Sequence, residues 1–442
     1  MTLFAGATGI GARRLATRRP SVVSILDLGS TKVCCVIARL TPRDPAELIP
    51  GRTHGIEVLG LGHVRSRGMK SGVVIDLDAA ELAVRHAVDA AERAARVTVD
   101  SLIVNVSAGR PASETYTAKV DLTGGRVVES DISRVLVAGR NHAMSPGRLA
   151  VHTIPIGYSL DEASAIRDPL NMMGERLGVD MHLASADTPT LRNLELCINR
   201  CHLSIASLVA APYAAGLASL IDDEAELGTV VVDLGGGTTT MAVFMNGQFI
   251  HVDGIAIGGQ HITNDIARGL STRVEDAERL KVMHGSALSG ASDERDLISV
   301  PALSDEERDL PNQVPRSALT RIIRARIEET LELVRDRLNA SGFAALVGKR
   351  MVLTGGASQL NGLAEAARRI LARNVRLGRP LGVAGLPEQA RGPAFSAAVG
   401  LLIYPQVAAF EQFAGARSAA PLMTGTGGGY FSRMVQRFRE SF

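Results

Sequence analysis

The chain has no tryptophan, and aromatic residues make up only 3% of its 442 residues. Cysteine is also scarce: Cys34 and Cys35 are neighbours, and Cys197 and Cys201 are four residues apart. None of these spacings is the Cys-x-x-Cys spacing that is typical of zinc sites and redox-active disulfides. We therefore expect four buried thiols without a metal or redox role, in a reducing compartment.

Long hydrophobic runs and a dominant charge are absent too. No apolar run approaches the roughly 20 residues that a membrane-spanning helix needs, and the start has no apolar signal core. The formal net charge of +2 gives no overall field for nucleic acid. A cytoplasmic protein is expected, with 46% hydrophobic residues to form its core. Residues 1–20, basic and without an acid, fit a transit peptide, a lipid-touching tail or, as favoured, a flexible leader.

One glycine motif occurs twice. In each copy a largely apolar strand ends in a carboxylate, at Asp27 or Asp233, and a tight turn and a second apolar run complete a hairpin. Turn glycines let backbone N–H groups approach an anion, and two carboxylates can hold a hydrated magnesium ion between them. One copy alone would be ordinary structure, but two predict a phosphate site with Mg2+. The predicted contacts are Gly29, Ser30, Thr31 and Lys32 in the first copy and Gly235, Gly236, Gly237, Thr238 and Thr239 in the second.

A third glycine motif completes the set. The buried strand from Arg350 runs into Gly355 and Gly356, near Ser358, where a flat ring can lie against backbone. In this order the three motifs resemble those of the actin, sugar kinase and heat-shock chaperone ATPase superfamily. Small-residue segments at Ala210–Leu217 and Gly392–Leu402 resemble its two connecting helices, which cross beneath the cleft.

That resemblance covers roughly residues 21–405 and implies an α/β, actin-like fold of two duplicated ribonuclease-H-like domains that bind ATP and Mg2+. It assigns Gly355, Gly356 and Ser358 to the adenosine. Fast ATPases of this superfamily position a water near the first connecting helix, and the chaperone pattern has Glu where this chain has Ala211. Binding of Mg2+ does not imply turnover, so we expect at most slow hydrolysis and name no catalytic residue.

Three further features resemble the FtsA family of bacterial cell-division proteins: the segments Gly68–Asp76 and Gly258–Ile266, and an inserted α+β module at 101–180 with strand-like runs. The resemblance adds Gly259 to the nucleotide contacts, and Glu278 and Lys281 as ribose contacts. By itself, a Glu and a Lys three residues apart on a helix is usually a surface ion pair.

The segments between the motifs predict helices. One spans 79–96, and its apolar face consists of Leu82, Val84, Ala87, Val88 and Ala91. Another spans roughly 317–338, and its core positions are Ile322, Ile323, Ile327, Leu331 and Val334.

The expected organisation follows from these motifs. It comprises a basic leader at 1–20, a first actin-like domain at 21–100, 181–227 and 391–410, an inserted α+β subdomain at 101–180, a second actin-like domain at 228–390 with a smaller subdomain at about 265–345, a flexible linker at 411–429, and a C-terminal amphipathic helix at 430–442.

The last thirteen residues predict a membrane contact. On a helix they place five apolar residues on one face, and Arg433 and Arg437 lie opposite; the five are Phe431, Met434, Val435, Phe438 and Phe442. A helix that is basic on its polar side and follows a flexible tether is typical of the membrane interface. Docking of this helix on its own protein is the alternative.

The FtsA resemblance implies partners and a function. It implies filaments of this chain on the cytoplasmic side of the inner membrane, at the division site, which tether the tubulin-like FtsZ and recruit later septum proteins through the inserted subdomain. The FtsZ C-terminal peptide would bind the smaller subdomain, where Arg324 is our predicted contact and a solvated arginine is the alternative. A pilus-assembly scaffold of the same fold, or less plausibly a small-molecule kinase, is the alternative function. No nucleic-acid partner is expected.

Overall fold

The computed structural model describes residues 20–44, 52–303 and 312–411. Apart from the boundary residues Pro20 and Glu411, the predicted leader, linker and C-terminal helix lie outside these residues, and so do Phe431, Met434, Val435, Phe438, Phe442, Arg433 and Arg437. Among the helices that are described, none combines the length and apolar composition needed to cross a bilayer.

The elements of the described residues are numbered in chain order. The strands are β1 (Ser21–Leu28), β2 (Lys32–Pro42), β3 (His54–Arg65), β4 (Met69–Lys70), β5 (Val73–Val74), β6 (Ser101–Val106), β7 (Ala112–Asp121), β8 (Arg148–Leu160), β9 (Ala163–Ile166), β10 (Arg176–Asp187), β11 (Ser204–Ala210), β12 (Thr229–Leu234), β13 (Thr239–Met245), β14 (Gln248–Ile255), β15 (Leu297–Val300), β16 (Asn312–Pro315), β17 (Arg350–Thr354), β18 (Asn374–Leu377) and β19 (Val383–Ala384). The helices are α1 (Leu77–Ala95), α2 (Glu129–Arg140), α3 (Thr188–Arg200), α4 (Ala211–Ser219), α5 (Asp222–Leu227), α6 (Gly259–Gly269), α7 (Val274–His284), α8 (Arg316–Ala340), α9 (Leu363–Leu371) and α10 (Ser396–Glu411).

Two sheets repeat one topology. The first has the order β11-β6-β1-β2-β3-β19 and the second the order β14-β13-β12-β17-β18. In each, three successive strands form an antiparallel meander, and a later strand joins the first of them in parallel. Both glycine motifs are the first hairpin of a meander, between β1 and β2 and between β12 and β13. The predicted duplication of an α/β domain is confirmed.

Helix α1 packs on the first sheet through small residues. A Cβ on Gly62 of β3 would lie 1.8 Å from the carbonyl oxygen of Ala87, so the helix backbone nearly touches the strand. The predicted face is confirmed for Val84, Ala87, Val88 and Ala91, which are buried. The predicted burial of Leu82 is wrong, because this side chain is 50% exposed. Ala80 and Ala83 lie on the buried face in its place.

The predicted boundary of the inserted subdomain at residue 101 is wrong. Strand β6 pairs in parallel with β1 through Ile103 and Val104, and with β11 along its length, so it belongs to the first sheet. The compact unit that corresponds to the insertion consists of Thr115–Ala143 and Thr153–His182. An apolar strand does not show in its own sequence which sheet it will join, and this one lies beside the insertion.

The inserted unit has its own core. Its sheet has the order β7-β10-β8-β9, and helix α2 contributes Val135 and Leu136 to an apolar cluster with Leu177, Val179 and Met181. At the edge of this sheet, β9 pairs with β8 in antiparallel orientation through Tyr158 and Leu160. The α+β character of the insertion is confirmed.

After the second sheet, the chain rejoins the first sheet earlier than predicted. Strand β19 pairs with β3 through Val383 and Ala384, before the boundary expected at residue 390. The region predicted as the smaller subdomain, about 265–345, contains the C-terminal part of α6, together with α7, α8 and the β15–β16 pair. On α8 the predicted core residues are buried, apart from Ile322, which is only partly buried.

The cysteines are free thiols, and Cys201 alone among them is only partly buried. Burial raises the pKa of Cys34 to about 12 and that of Cys197 to about 11. Neither thiol is a reactive thiolate near neutral pH.

Helices α4 and α10 cross at a glycine, as predicted for the two connecting helices. A Cβ on Gly400 of α10 would lie 1.7 Å from the carbonyl oxygen of Ala214 in α4. The contact atom is backbone, so no side chain can move to make room. The crossing therefore requires glycine at this position.

Replacement of Gly400 by alanine is expected to separate the two helices and to lower the free energy of unfolding by about 1–3 kcal/mol, the usual cost of overpacking. Urea unfolding of Gly400→Ala measures this loss. Gly124→Ala is the matched control, because its added Cβ meets no atom within 4 Å. Equal stability of the two variants would contradict a close crossing.

Candidate functional site

The two glycine hairpins lie against each other. A Cβ on Gly236 would come within 2.4 Å of Thr31 Cγ2, and a Cβ on Gly237 within 2.3 Å of Ser30 Oγ. The tip of the β4–β5 hairpin joins them, since the backbone N–H of Gly72 donates to Ser30 Oγ at 2.8 Å. The two predicted phosphate motifs, far apart in sequence, therefore meet at one place, and only glycine permits the approach.

Both hairpins close their turns in the same way. The N–H of Gly29 donates to the carbonyl of Lys32 at 2.9 Å, and the N–H of Gly235 donates to the carbonyl of Thr238 at 2.9 Å. The repeat thus extends from residue type to backbone hydrogen bonding. In each turn, the backbone between the two hydrogen-bonded residues lies at the end of the preceding strand.

Two carboxylates lie at the base of these turns. Asp27 is 4% exposed; its Oδ2 lies 2.8 Å from the Lys32 ammonium, and its Oδ1 accepts from Asn105 Nδ2 at 2.8 Å. Burial, and then the negative charge of Asp27, raise the pKa of Asp233 to about 7, against a smaller opposing effect of Lys32. Although burial lowers the pKa of Lys32, the surrounding negative groups, Asp27 first, raise it overall. The carboxylates repel each other, and a cation stabilises them both.

This donor set fits a hydrated magnesium ion. Mg2+ prefers oxygen ligands, keeps several waters, and is usually held by one or two carboxylates with substrate phosphates. Asp27 and Asp233 supply such carboxylates beside the glycine turns. Among the residues that the structure describes, no group of three or more His, Cys, Asp or Glu side chains forms a denser metal cage. Water and phosphate oxygens would have to complete the coordination.

The predicted ribose contacts lie in a polar cluster. Lys281 Nζ donates to Glu278 Oε2 at 2.6 Å, to Thr263 Oγ1 at 2.8 Å and to the carbonyl of Gly259 at 3.2 Å. Gly259 begins α6, and its N–H donates to the carbonyl of Gly235 in the second glycine turn at 2.9 Å. Helix α6 therefore connects Glu278 and Lys281 to that turn.

The third glycine motif passes directly over Asp233. Gly355 has φ +86, and a Cβ there would come within 2.2 Å of Asp233 Oδ1. Ser358 is fully buried and donates to the carbonyl of Gly355 at 2.7 Å, while Gly356 begins a short 3-10 helix at Gly356–Gln359. This backbone, the second glycine turn and Asp233 thus form one continuous surface.

Two of the predicted hydroxyls are used inside the fold. Ser358 Oγ holds the turn after β17, and Thr239 Oγ1 donates to the carbonyl of Ile257 at 2.8 Å. Both residues are almost completely buried. Their hydroxyls hold loops within the fold, and contact of these residues with a nucleotide stays a prediction.

Residues that the sequence analysis missed surround the first carboxylate. Asn105 bonds Asp27, and Lys32 Nζ lies 4.9 Å from the ring centroid of Phe395, a cation–π contact. Phe395 is packed edge-on by His63, whose pKa is lowered, first by burial and then by Lys32. The sequence could have indicated Asn105, because it is a polar residue within an apolar strand. No sequence pattern indicated Phe395.

An ion pair joins the two halves beside the glycine turns. Arg65, at the end of β3, lies 3.1 Å from Glu275 in the first turn of α7, the helix that carries Glu278 and Lys281. Both side chains are exposed, so the pair contributes little to stability by itself. It nevertheless marks where the two halves come together.

Arg324 lies on an accessible part of the smaller subdomain. Its Nη1 is 3.4 Å from Ser289 Oγ and its Nε 3.5 Å from Glu328 Oε1, and its side chain is 46% exposed. Arg326, two residues on, is held by both oxygens of Asp265, at 2.6 and 3.1 Å. Of these two arginines, Arg324 is the more available to a partner.

Comparison with known sequences gives consistent matches. A family model described as cell division protein FtsA matches residues 230–400, and one described as the SHS2 domain inserted in FtsA matches residues 108–185, which agrees with a later start of the insertion. The cell division protein FtsA of Rhizobium meliloti (strain 1021) is 59% identical over the full length of both chains. That of Escherichia coli (strain K12) is 30% identical over 97% of this chain and 99% of its own.

Comparison with solved structures shows the fold. A chain of the PilM–PilN type IV pilus biogenesis complex matches with a TM-score of 0.58 at 18% identity, covering 87% of this chain and 98% of its own. MreB5 of Spiroplasma citri, bound to ADP, matches with a TM-score of 0.50 at 14% identity, covering 88% and 97%. The duplicated sheets, the paired glycine hairpins and the full-length similarity lead to one assignment: the chain belongs to the FtsA family of actin-like cell-division proteins.

Proposed function

We propose that this cell-division protein binds ATP with Mg2+, polymerises on the inner face of the cytoplasmic membrane at the division site, and tethers the tubulin-like FtsZ ring there. The observation that carries the proposal is the meeting of the two glycine hairpins over Asp27 and Asp233. It supplies what a nucleotide needs at one place: close backbone for phosphate oxygens and carboxylates for a hydrated cation.

Different residues bind the phosphates, the Mg2+, the ribose and the base. The turns at Gly29–Lys32 and Gly235–Thr238 hold the phosphates, and Asp27 and Asp233 hold the waters of Mg2+, which would neutralise phosphate charge. Glu278 and Lys281 bind the ribose, and the backbone at Gly355–Gly356 lies against the base. Support for this division comes from geometry: the two glycine turns meet, the N–H of Gly259 in α6 donates to the second turn, and Gly355 lies against Asp233.

Nucleotide acts as a signal for assembly. A ligand that contacts both halves stabilises the arrangement in which they lie together, because it adds interactions that neither half provides alone. Ala211, at the start of α4, is almost completely buried and has no polar group with which to position a water. Hydrolysis is accordingly slow, and the bound nucleotide persists while filaments form.

The C-terminal segment attaches the filament to lipid. Its apolar face and its arginines suit the interface of an anionic membrane, and a single short helix binds weakly because it must fold on contact. Protomers joined in a filament present many such helices together, so attachment strengthens with filament length. Membrane binding and polymerisation are therefore coupled.

Lipid co-sedimentation tests this coupling. The full chain is expected to sediment with anionic vesicles, and more so with ATP than without, whereas a chain that ends at residue 429 stays in the supernatant but still binds ATP. A full-length Phe431→Ser, Phe438→Ser variant keeps the arginines and tests the apolar face alone; it too is expected to remain soluble. Unchanged sedimentation of the truncated chain would exclude the helix as the membrane anchor.

The FtsZ tail binds the smaller subdomain with Arg324 at the contact. That tail is apolar and partly acidic, so the guanidinium of Arg324 is suited to it: the side chain is 46% exposed, and its contacts with Ser289 and Glu328 are long, at 3.4 and 3.5 Å. The inserted unit recruits later division proteins. Membership of the FtsA family favours this function over the pilus scaffold, whose likeness is limited to fold.

Arg324→Ala is expected to weaken binding of a synthetic FtsZ C-terminal peptide by about two- to tenfold, measured by fluorescence anisotropy, because one partly solvated charge contact is lost. Arg335→Ala is the matched control, since Arg335 lies on the same helix, is 41% exposed and pairs with Asp336. If both variants bind the peptide as tightly as the unmodified chain, Arg324 is not part of the interface.

A further inference from the structure

The side chain of Asn105 connects β6 to the first carboxylate. Its Nδ2 donates to Asp27 Oδ1 at 2.8 Å, and its Oδ1 accepts from the backbone N–H of Leu28 at 2.7 Å. A backbone N–H can only donate, so the oxygen end of the amide must face Leu28 and the NH2 end must face Asp27. Asn105 is 4% exposed, and its orientation is therefore fixed by two buried bonds.

Asn105 acts where the backbone ladder stops. The parallel pairing of β1 with β6 covers Ile25–Leu26 on one strand and Ile103–Val104 on the other. Asp27 is the next residue of β1, and Asn105 is the next residue of β6. On this side of β1, a side chain thus replaces the backbone bonds that would otherwise hold the end of the strand.

The arrangement gives the two oxygens of Asp27 different surroundings. Oδ1 is occupied by a neutral amide donor from within the fold, whereas Oδ2 lies beside the Lys32 ammonium at the first glycine turn. A neutral donor orients a carboxylate without offsetting its charge. Asn105 therefore leaves the negative charge of Asp27 to the Oδ2 side, where Lys32 offsets only part of it.

We infer that Asn105 is a positioning residue for magnesium: it holds Asp27 with Oδ2 toward the cation side and, through Asp27, sets the Mg2+ dependence of nucleotide binding. The inference rests on the proposed nucleotide function and assigns a new residue to that site. A purely structural Asn105, which only ties β6 to β1, would affect binding equally with and without Mg2+.

The test is the affinity of a fluorescent ATP analogue as a function of free Mg2+. Asn105→Leu, of similar size but without polar groups, is expected to weaken binding about tenfold in saturating Mg2+ and less than about twofold in EDTA, because a hydrogen bond to a buried charge is lost. Thr330→Val is the matched control. It removes a buried hydroxyl on α8 that donates to the carbonyl of Arg326 at 2.8 Å, so its effect should not depend on Mg2+.

A double-mutant cycle shows whether Asn105 acts through Asp27. In an Asp27→Asn background, the Mg2+-dependent part of the Asn105→Leu effect should disappear. A full effect in that background, or equal losses with and without Mg2+, would overturn the inference. An unmodified chain that binds no nucleotide would instead contradict the proposed function, so the two failures are distinguishable.

A measurement on the unmodified chain covers the case in which the variants do not fold. With selective asparagine labelling, the side-chain amide resonances of Asn105 are expected to shift when Mg2+ is added to the nucleotide-bound protein. Resonances of other buried amides, far from the site, serve as the reference. An Asn105 signal that does not respond to Mg2+ would count against a positioning role.

Discussion

Two carboxylates at the ends of equivalent strands, buried Asp27 and partly buried Asp233, repel each other, and the site has to compensate that repulsion. Burial first, and then the negative charge of Asp27, raise the pKa of Asp233 to about 7. Lys32 partly offsets the two charges from within the fold, with its ammonium 2.8 Å from Asp27. In the proposed function, a divalent cation that arrives with its own phosphates would complete the compensation, and nucleotide would thereby stabilise both halves at once.

Glycine makes the close approach possible. Gly236 and Gly237 contact the first hairpin, Gly355 passes over Asp233, and Gly400 lets the connecting helices touch. Each lies where a Cβ would meet atoms that cannot easily move, three of them beside a carboxylate or a glycine turn and one at the crossing of α4 and α10. Close packing of the same kind therefore occurs both at the site and at the crossing of α4 and α10.

The structural features that depend on local sequence could be predicted. Apolar strands ending in Asp27 and Asp233 and followed by glycines are local patterns, and the structure forms both hairpins. Non-local choices could not be predicted. Strand β6 has the same apolar pattern whether it joins the first sheet or the insertion, and the position of Leu82 depended on which alanines approach the sheet. The hydroxyls of Thr239 and Ser358 matched the motif, but their buried partners are carbonyls within the fold. Asn105 was overlooked for the same reason as β6, since its role depends on the neighbouring strand.

We propose that Asp27 and Asp233 together form one Mg2+-dependent nucleotide site. Isothermal titration calorimetry with ATP, in Mg2+ and in EDTA, tests this proposal on the unmodified chain and on Asp27→Asn and Asp233→Asn. We expect one site per chain, tighter in Mg2+, with an affinity that falls at least about tenfold in either variant, as expected for loss of a charge contact. Unchanged, Mg2+-independent affinity in both variants would contradict it.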